Sequence, residues 1–232
     1  MITEKITSLP MTPGQKKQLL RVLEDALDAS GLTKDEADEV LKVGNLLQID
    51  VKASLNKHSI IDKRFELFAD LGIITVPENY VHGEQLDSMN RDEFYSFNEA
   101  ITDKNFSNPS RILKPGDKLW VRAFKQVVPG NTTSEDRMDF LSKMNAIHTG
   151  AQGASLVCQQ KRNLLPKGYW YCSFDEKDHL WKDSDGSHRV PFVAAHSDGA
   201  FKFGLGYFEY AWDGRNMILV FCDLPATEQA ST

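Results

Sequence analysis

The sequence predicts an α+β fold: a helical N-terminal region, then helices packed on an antiparallel sheet that ends in a C-terminal β-meander. Capping signatures at Thr12-Pro13-Gly14-Gln15 and Thr33-Lys34-Asp35-Glu36 open runs of helical periodicity. Three Asp-Gly pairs, Asp185-Gly186, Asp198-Gly199 and Asp213-Gly214, punctuate strand-like runs in the last quarter of the chain. Asp-Gly signals a two-residue hairpin, because both residues tolerate the positive φ that such a turn demands.

In chain order, Leu19, Leu20, Leu23, Ala26 and Leu27 give the first helix its apolar stripe, and Gly31 closes it. Ala37, Val40 and Leu41 mark a short second helix. A third is expected from Leu46 to Leu55 and a fourth from Asp62 to Ala69, with Phe65 and Phe68 inward. After a brief strand at Ile73–Val76, the segment to Pro109 lacks clean periodicity, apart from a helix near Asp92–Ala100, and reads as a connector. Pro115-Gly116 fits the centre of a type II turn joining Arg111–Leu113 to the alternating strand Leu119–Val127. Thr133-Ser134-Glu135-Asp136 opens a helix to Asn145, and Ala151–Leu164 reads as another helix, with a strand as the alternative. The expected organisation is a helical region over 1–76, a connector over 77–108, an α+β domain over 109–225 and a flexible tail over 226–232.

Two-residue turns would fix the register of the meander. Asp183 then faces His188, Ala194 faces Phe203, Leu205 faces Cys222 and Gly206 faces Phe221. Trp181, Val190, Phe192, Phe203, Leu205, Ile218 and Val220 share a core face. Gly204 and Gly206 either let neighbouring rings lie across the strand or floor a groove walled by Phe208, Tyr210 and Trp212.

With 232 residues and 41% hydrophobic content, the chain can bury a core without disulfides or metals. A formal net charge of −6 argues against a whole-surface nucleic-acid or anionic-membrane binder. No signal peptide and no run of 18 apolar residues is present, so a cytoplasmic protein is expected. Cys158, Cys172 and Cys222 are odd in number and sit among apolar neighbours, which favours reduced thiols. The sequons at Asn105 and Asn131 are then chance matches.

Candidate chemistry is sparse. Asp175 and Lys177, two apart at a strand end, match the acid-lysine spacing of the PD-(D/E)xK nuclease motif, with Asp117 the upstream carboxylate. His148, His179, His188 and His196 with Cys158 and Cys172 lack zinc-site spacing, and no metal or cofactor is expected. Around Gly31 the helix pair resembles a helix-turn-helix, but its second helix, Lys34–Glu39, carries the wrong sign for phosphates and suits a basic partner better. Leu113–Trp120 resembles the opening of a lysin motif, a peptidoglycan-binding repeat, but a strand follows where that family has a helix. Ala26–Leu32 and Gly150–Asp178 are similar to recurrent uncharacterised bacterial proteins without an assigned activity, a resemblance that implies a bacterial or phage-like origin and supplies no catalytic residues. The expectation is a soluble, intracellular, non-enzymatic binding or interaction protein of unknown partner, another protein being the candidate, with Phe208, Tyr210 and Trp212 as its contact. The alternative is a metal-dependent hydrolase of nuclease type that uses Asp117, Asp175 and Lys177.

Overall fold

The computed structural model of the chain describes Lys17, Arg21 and residues 62–224, and the long stretch builds a seven-stranded mixed sheet. Its strands are β1 (Phe65–Thr75), β2 (Ser96–Phe97), β3 (Lys118–Gln126), β4 (Tyr169–Cys172), β5 (Arg189–Ala195), β6 (Phe201–Tyr207) and β7 (Asn216–Asp223). Two α-helices join them, α1 (Ser134–Lys143) and α2 (Gly150–Lys161). The spatial order is β1-β3-β7-β4-β5-β6-β2. Neighbours are antiparallel except β4 with β7 and β2 with β6, which run parallel. No helix among the described residues is long and apolar enough to cross a membrane.

An interior strand explains the layering. β7 reads Asn-Met-Ile-Leu-Val-Phe-Cys-Asp, the continuous apolar run of a strand covered on both faces. Met217, Leu219 and Phe221 enter a first core with Val121, Tyr171, Val193 and Phe203, capped by Ala154, Leu156 and Val157 of α2. Tyr80, Leu86, Ile101 and Phe106, from the segment between β1 and β3, complete this core. Ile218 and Val220 enter a second core with Phe124, Cys172 and Val190, under Phe140 and Leu141 of α1. Helix α1 begins with a capping box: Thr133 Oγ1 accepts from Asp136 N at 3.1 Å, and Asp136 accepts from Thr133 N at 3.0 Å.

The expected fold class needs correction. The helices expected between Thr12 and Leu55 lie outside the described residues, except that Lys17 and Arg21 are helical and exposed. The fourth, Asp62–Ala69, is wrong, because Phe65–Thr75 is a strand paired with β3. Two register shifts, between Leu67 and Ala69 and between Asp70 and Gly72, insert an extra residue each. They carry Phe68, Leu71 and Ile74, three apart, towards one core, which imitates helical spacing.

Nor is the sheet antiparallel throughout, and the C-terminal meander does not form. β5 and β6 make a hairpin, but β7 leaves β6 and inserts between β3 and β4. The loops at Asp185-Gly186 and Asp198-Gly199 hold three residues, not two: Asp183 N donates to Ser187 O and His196 N to Ala200 O. Gly186 and Gly199 take φ of 81° and 92° at the bulge position of such loops. The extra residue slips the register by one, so Val193 faces Phe203 and Gly206 faces Val190. Phe203 therefore joins the first core while Val190 and Phe192 turn to the second. Gly214 does not adopt a positive φ.

Two smaller expectations also change. Arg111–Leu113 is not a strand, although Gly116 does turn with a φ of 80°. In place of a helix near Asp92–Ala100 there is a short 3-10 turn, Arg91–Glu93, followed by β2.

Candidate functional site

Two glycines of β6 shape the second face of the sheet. The Phe192 ring lies over Gly204 and the Trp212 indole over Gly206, so close that a β-carbon would stand 2.5 Å and 2.7 Å from the respective rings. An open groove of about 330 Å³ runs beside these rings, lined by Trp170, Phe192, Gly206, Tyr207, Tyr210 and Trp212, with Asn131, Asp213 and Asn216 among its polar groups.

Its aromatic walls are held in pairs. Trp170 stacks on Phe192 at 5.7 Å between centroids, and Tyr210 stacks on Tyr207 at 4.5 Å. The Arg215 guanidinium sits 5.5 Å from the Trp170 ring centre and is tied to Asp213, while that of Arg189 sits 3.5 Å from the Tyr207 ring centre. Trp170 is 38% exposed and Tyr210 64% exposed, so both rings are reachable from solvent.

Trp212 is fixed beneath them. Its indole Nε1 donates to Ser134 Oγ at 2.7 Å, and its backbone makes two hydrogen bonds with Thr132. The fully buried Arg137 guanidinium lies 5.4 Å from the Trp212 ring centre and donates to Asn216 O, Asp213 O and Thr132 Oγ1. No carboxylate is among those partners, and burial pulls the Arg137 pKa down to about 10. This cation ties the start of α1 to the turn before β7, which sets the floor of the groove.

Of the three expected aromatic contacts, Tyr210 and Trp212 share the groove and Phe208 does not. Phe208 is buried in the second core against Phe174, with Lys177 Nζ 4.9 Å from its ring centre. Trp170 and Phe192 are the residues that sequence reasoning missed. The one-residue slip places Phe192 on the groove face, and Trp170 carries no polar alternation that would mark it as exposed.

The acid-lysine set does not converge. Asp175 is buried, accepts from Ser110 N at 3.2 Å and Glu176 N at 2.9 Å, and takes a short hydrogen bond from the Ser110 hydroxyl. Burial raises its pKa, and the crevice beside it leaves no room for a water molecule. Lys177 Nζ turns away, 3.9 Å from Glu209. The Asp117 carboxylate accepts from Lys114 N in its own turn. No hydrogen bond or ion pair joins any two of the three, and among the described residues no group of three His, Cys, Asp or Glu could hold a metal ion. The expected Asp183–His188 pair is also replaced: Asp183 binds Arg189, and His188 Nδ1 lies 2.6 Å from Glu209 Oε1.

Comparison of the chain with family models, curated proteins and solved structures finds no match.

Proposed function

We propose that this protein is a non-enzymatic binding module that captures an extended segment of another protein in the aromatic groove. The observation that carries this reading is the pair of exposed, stacked rings, Trp170 and Tyr210, beside a groove whose floor is the immobilised Trp212. Rigid aromatic rings supply contact area at small entropic cost, and aromatic-lined grooves suit an extended peptide that inserts an apolar side chain. Asn131, Asp213 and Asn216 supply polar atoms for its backbone. The free thiols of Cys158, Cys172 and Cys222 fit a reducing cytoplasm.

The hydrolase alternative draws no support from the positions of Asp117, Asp175 and Lys177, which point to separate partners. Selection of a displayed peptide library on the intact chain tests the binding reading. Enriched peptides should share an apolar residue and lose at least about tenfold in affinity on Tyr210→Ala or Trp170→Ala. Equal affinity for wild type and both variants would remove the groove from consideration.

A further inference from the structure

A second cavity, of about 390 Å³, shares no residue with the aromatic groove. Among its lining residues are His82, Asp87, Asp103, Lys104, Phe106 and Gln152. Three buried polar atoms of these side chains have no hydrogen-bond partner in the protein: His82 Nε2, Asp103 Oδ1 and Gln152 Oε1. Asp103 is 5% exposed and Gln152 1% exposed, so ordinary solvation does not account for either.

The other atoms of the same three groups define what each free atom offers. Asp103 Oδ2 accepts from the backbone N–H groups of Leu86 and Asp87, both at 2.9 Å, which leaves Oδ1 as a free acceptor. Gln152 Nε2 donates to Phe106 O at 2.9 Å, so Oε1 is a second acceptor. Tyr80 Oη lies 2.8 Å from His82 Nδ1. Burial keeps the phenol protonated by raising its pKa and keeps the imidazole neutral by lowering its own. The phenol is the better donor of the two and donates to Nδ1, so the ring proton resides on Nε2. Asp103 has Asp87 and Glu84 as charged neighbours, and Lys104 is the cation among the lining residues, so the local balance is negative.

We propose that this cavity binds a small organic cation that carries a primary ammonium next to a hydroxyl or carbonyl oxygen. The ammonium has three N–H donors and serves Asp103 Oδ1 and Gln152 Oε1 together, while its neighbouring oxygen accepts from His82 Nε2. A divalent metal suits the site less well. The partnerless histidine nitrogen, Nε2, bears the ring proton, and two oxygens remain as ligands.

Titration calorimetry on the full chain tests the proposal with ethanolamine, serinol and phenylalaninol, each beside its analogue without the amine, and with zinc and magnesium alone. At least one amino alcohol should bind saturably and at least about tenfold more tightly than its desamino analogue. Asp103→Asn keeps an oxygen for Leu86 and Asp87 but turns the free acceptor into a donor, so it should abolish that binding while circular dichroism is unchanged. If Asp103→Asn fails to fold, His82→Phe gives the reading instead and should weaken binding several-fold. The proposal is overturned if no amino alcohol saturates, if the desamino analogues bind equally, if the folded variant binds as wild type does, or if zinc or magnesium saturates the site in their place.

Discussion

Gly206 lies beneath the Trp212 indole so closely that a β-carbon there would stand 2.7 Å from Cη2. The ring is held in place, because Nε1 is bonded to Ser134 and the Arg137 guanidinium and the Phe174 ring both lie against the indole. Gly206→Ala should therefore destabilise the protein by about 1–3 kcal/mol through overpacking. Urea denaturation followed by tryptophan fluorescence measures it, and an unchanged midpoint would mean that the indole is free to move.

Tyr210 and Trp212 should separate cleanly on truncation. Trp212 is buried and hydrogen bonded, so Trp212→Ala should cost about 3–5 kcal/mol. Tyr210 is 64% exposed, and Tyr210→Ala should stay within about 0.5 kcal/mol of wild type. Similar losses for both in equilibrium unfolding would contradict the described burial.

The two loops with three residues give a graded test. Valine at Gly186 or Gly199 meets a positive φ and should cost about 1–2 kcal/mol or more. Gly214→Val meets no such strain, since the nearest atom to a β-carbon there is Gln126 O at 4.0 Å, and should cost less. Ranking the three by denaturation midpoint decides the matter, with Gly214→Val the most damaging as the contrary result.

Acidification should draw on two half-buried histidines. Burial lowers the pKa of His148 and His82 below the ordinary 6.5. As pH falls through 6.5 the unfolded chain takes up protons that the native state resists, so stability falls. Asp103 and Asp175, with raised pKa values, act in the opposite sense above 3.8: there the native state binds more protons, and stability grows as pH falls through their native pKa values. Comparing wild type with His148→Gln isolates the histidine part. The variant should lose less stability from about pH 7.5 to about pH 5, and parallel profiles would refute the assignment.

What the sequence makes legible is what keeps its period. α1, α2 and β3 follow uninterrupted patterns or a capping box, and the spans read for them agree with the structure to within a few residues. β1 misleads because Phe65 and Phe68, three apart, read as one face of a helix, whereas Phe65 enters the second core and Phe68, the extra residue of the first bulge, packs against the first. The Asp-Gly loops reveal the β5–β6 hairpin, yet the bulge residue, invisible to a two-residue turn rule, moves Phe203 and Leu205 to the opposite face from Phe192. No local signal says that β7 crosses to lie parallel with β4, since that pairing joins residues over forty apart, as Cys172 with Ile218. For the groove, Tyr210 and Trp212 are visible as aromatics near a turn, whereas Trp170 joins them through this long-range pairing and Phe192 through the register slip of the β5–β6 hairpin.

The bulges of β1 have a further consequence at the rim of the sheet. Among the described strands β1 is one outer edge and β2, two residues long, is the other. An incoming strand docks on a regular row of amides and carbonyls, and β1 breaks that row twice while exposing Glu66 and Asp70 along it. At the opposite rim β2 is too short to template anything. The β1 margin thus disfavours strand-by-strand growth of the amyloid kind, whereas β2 covers only Lys202 and Phe203 of the seven-residue β6.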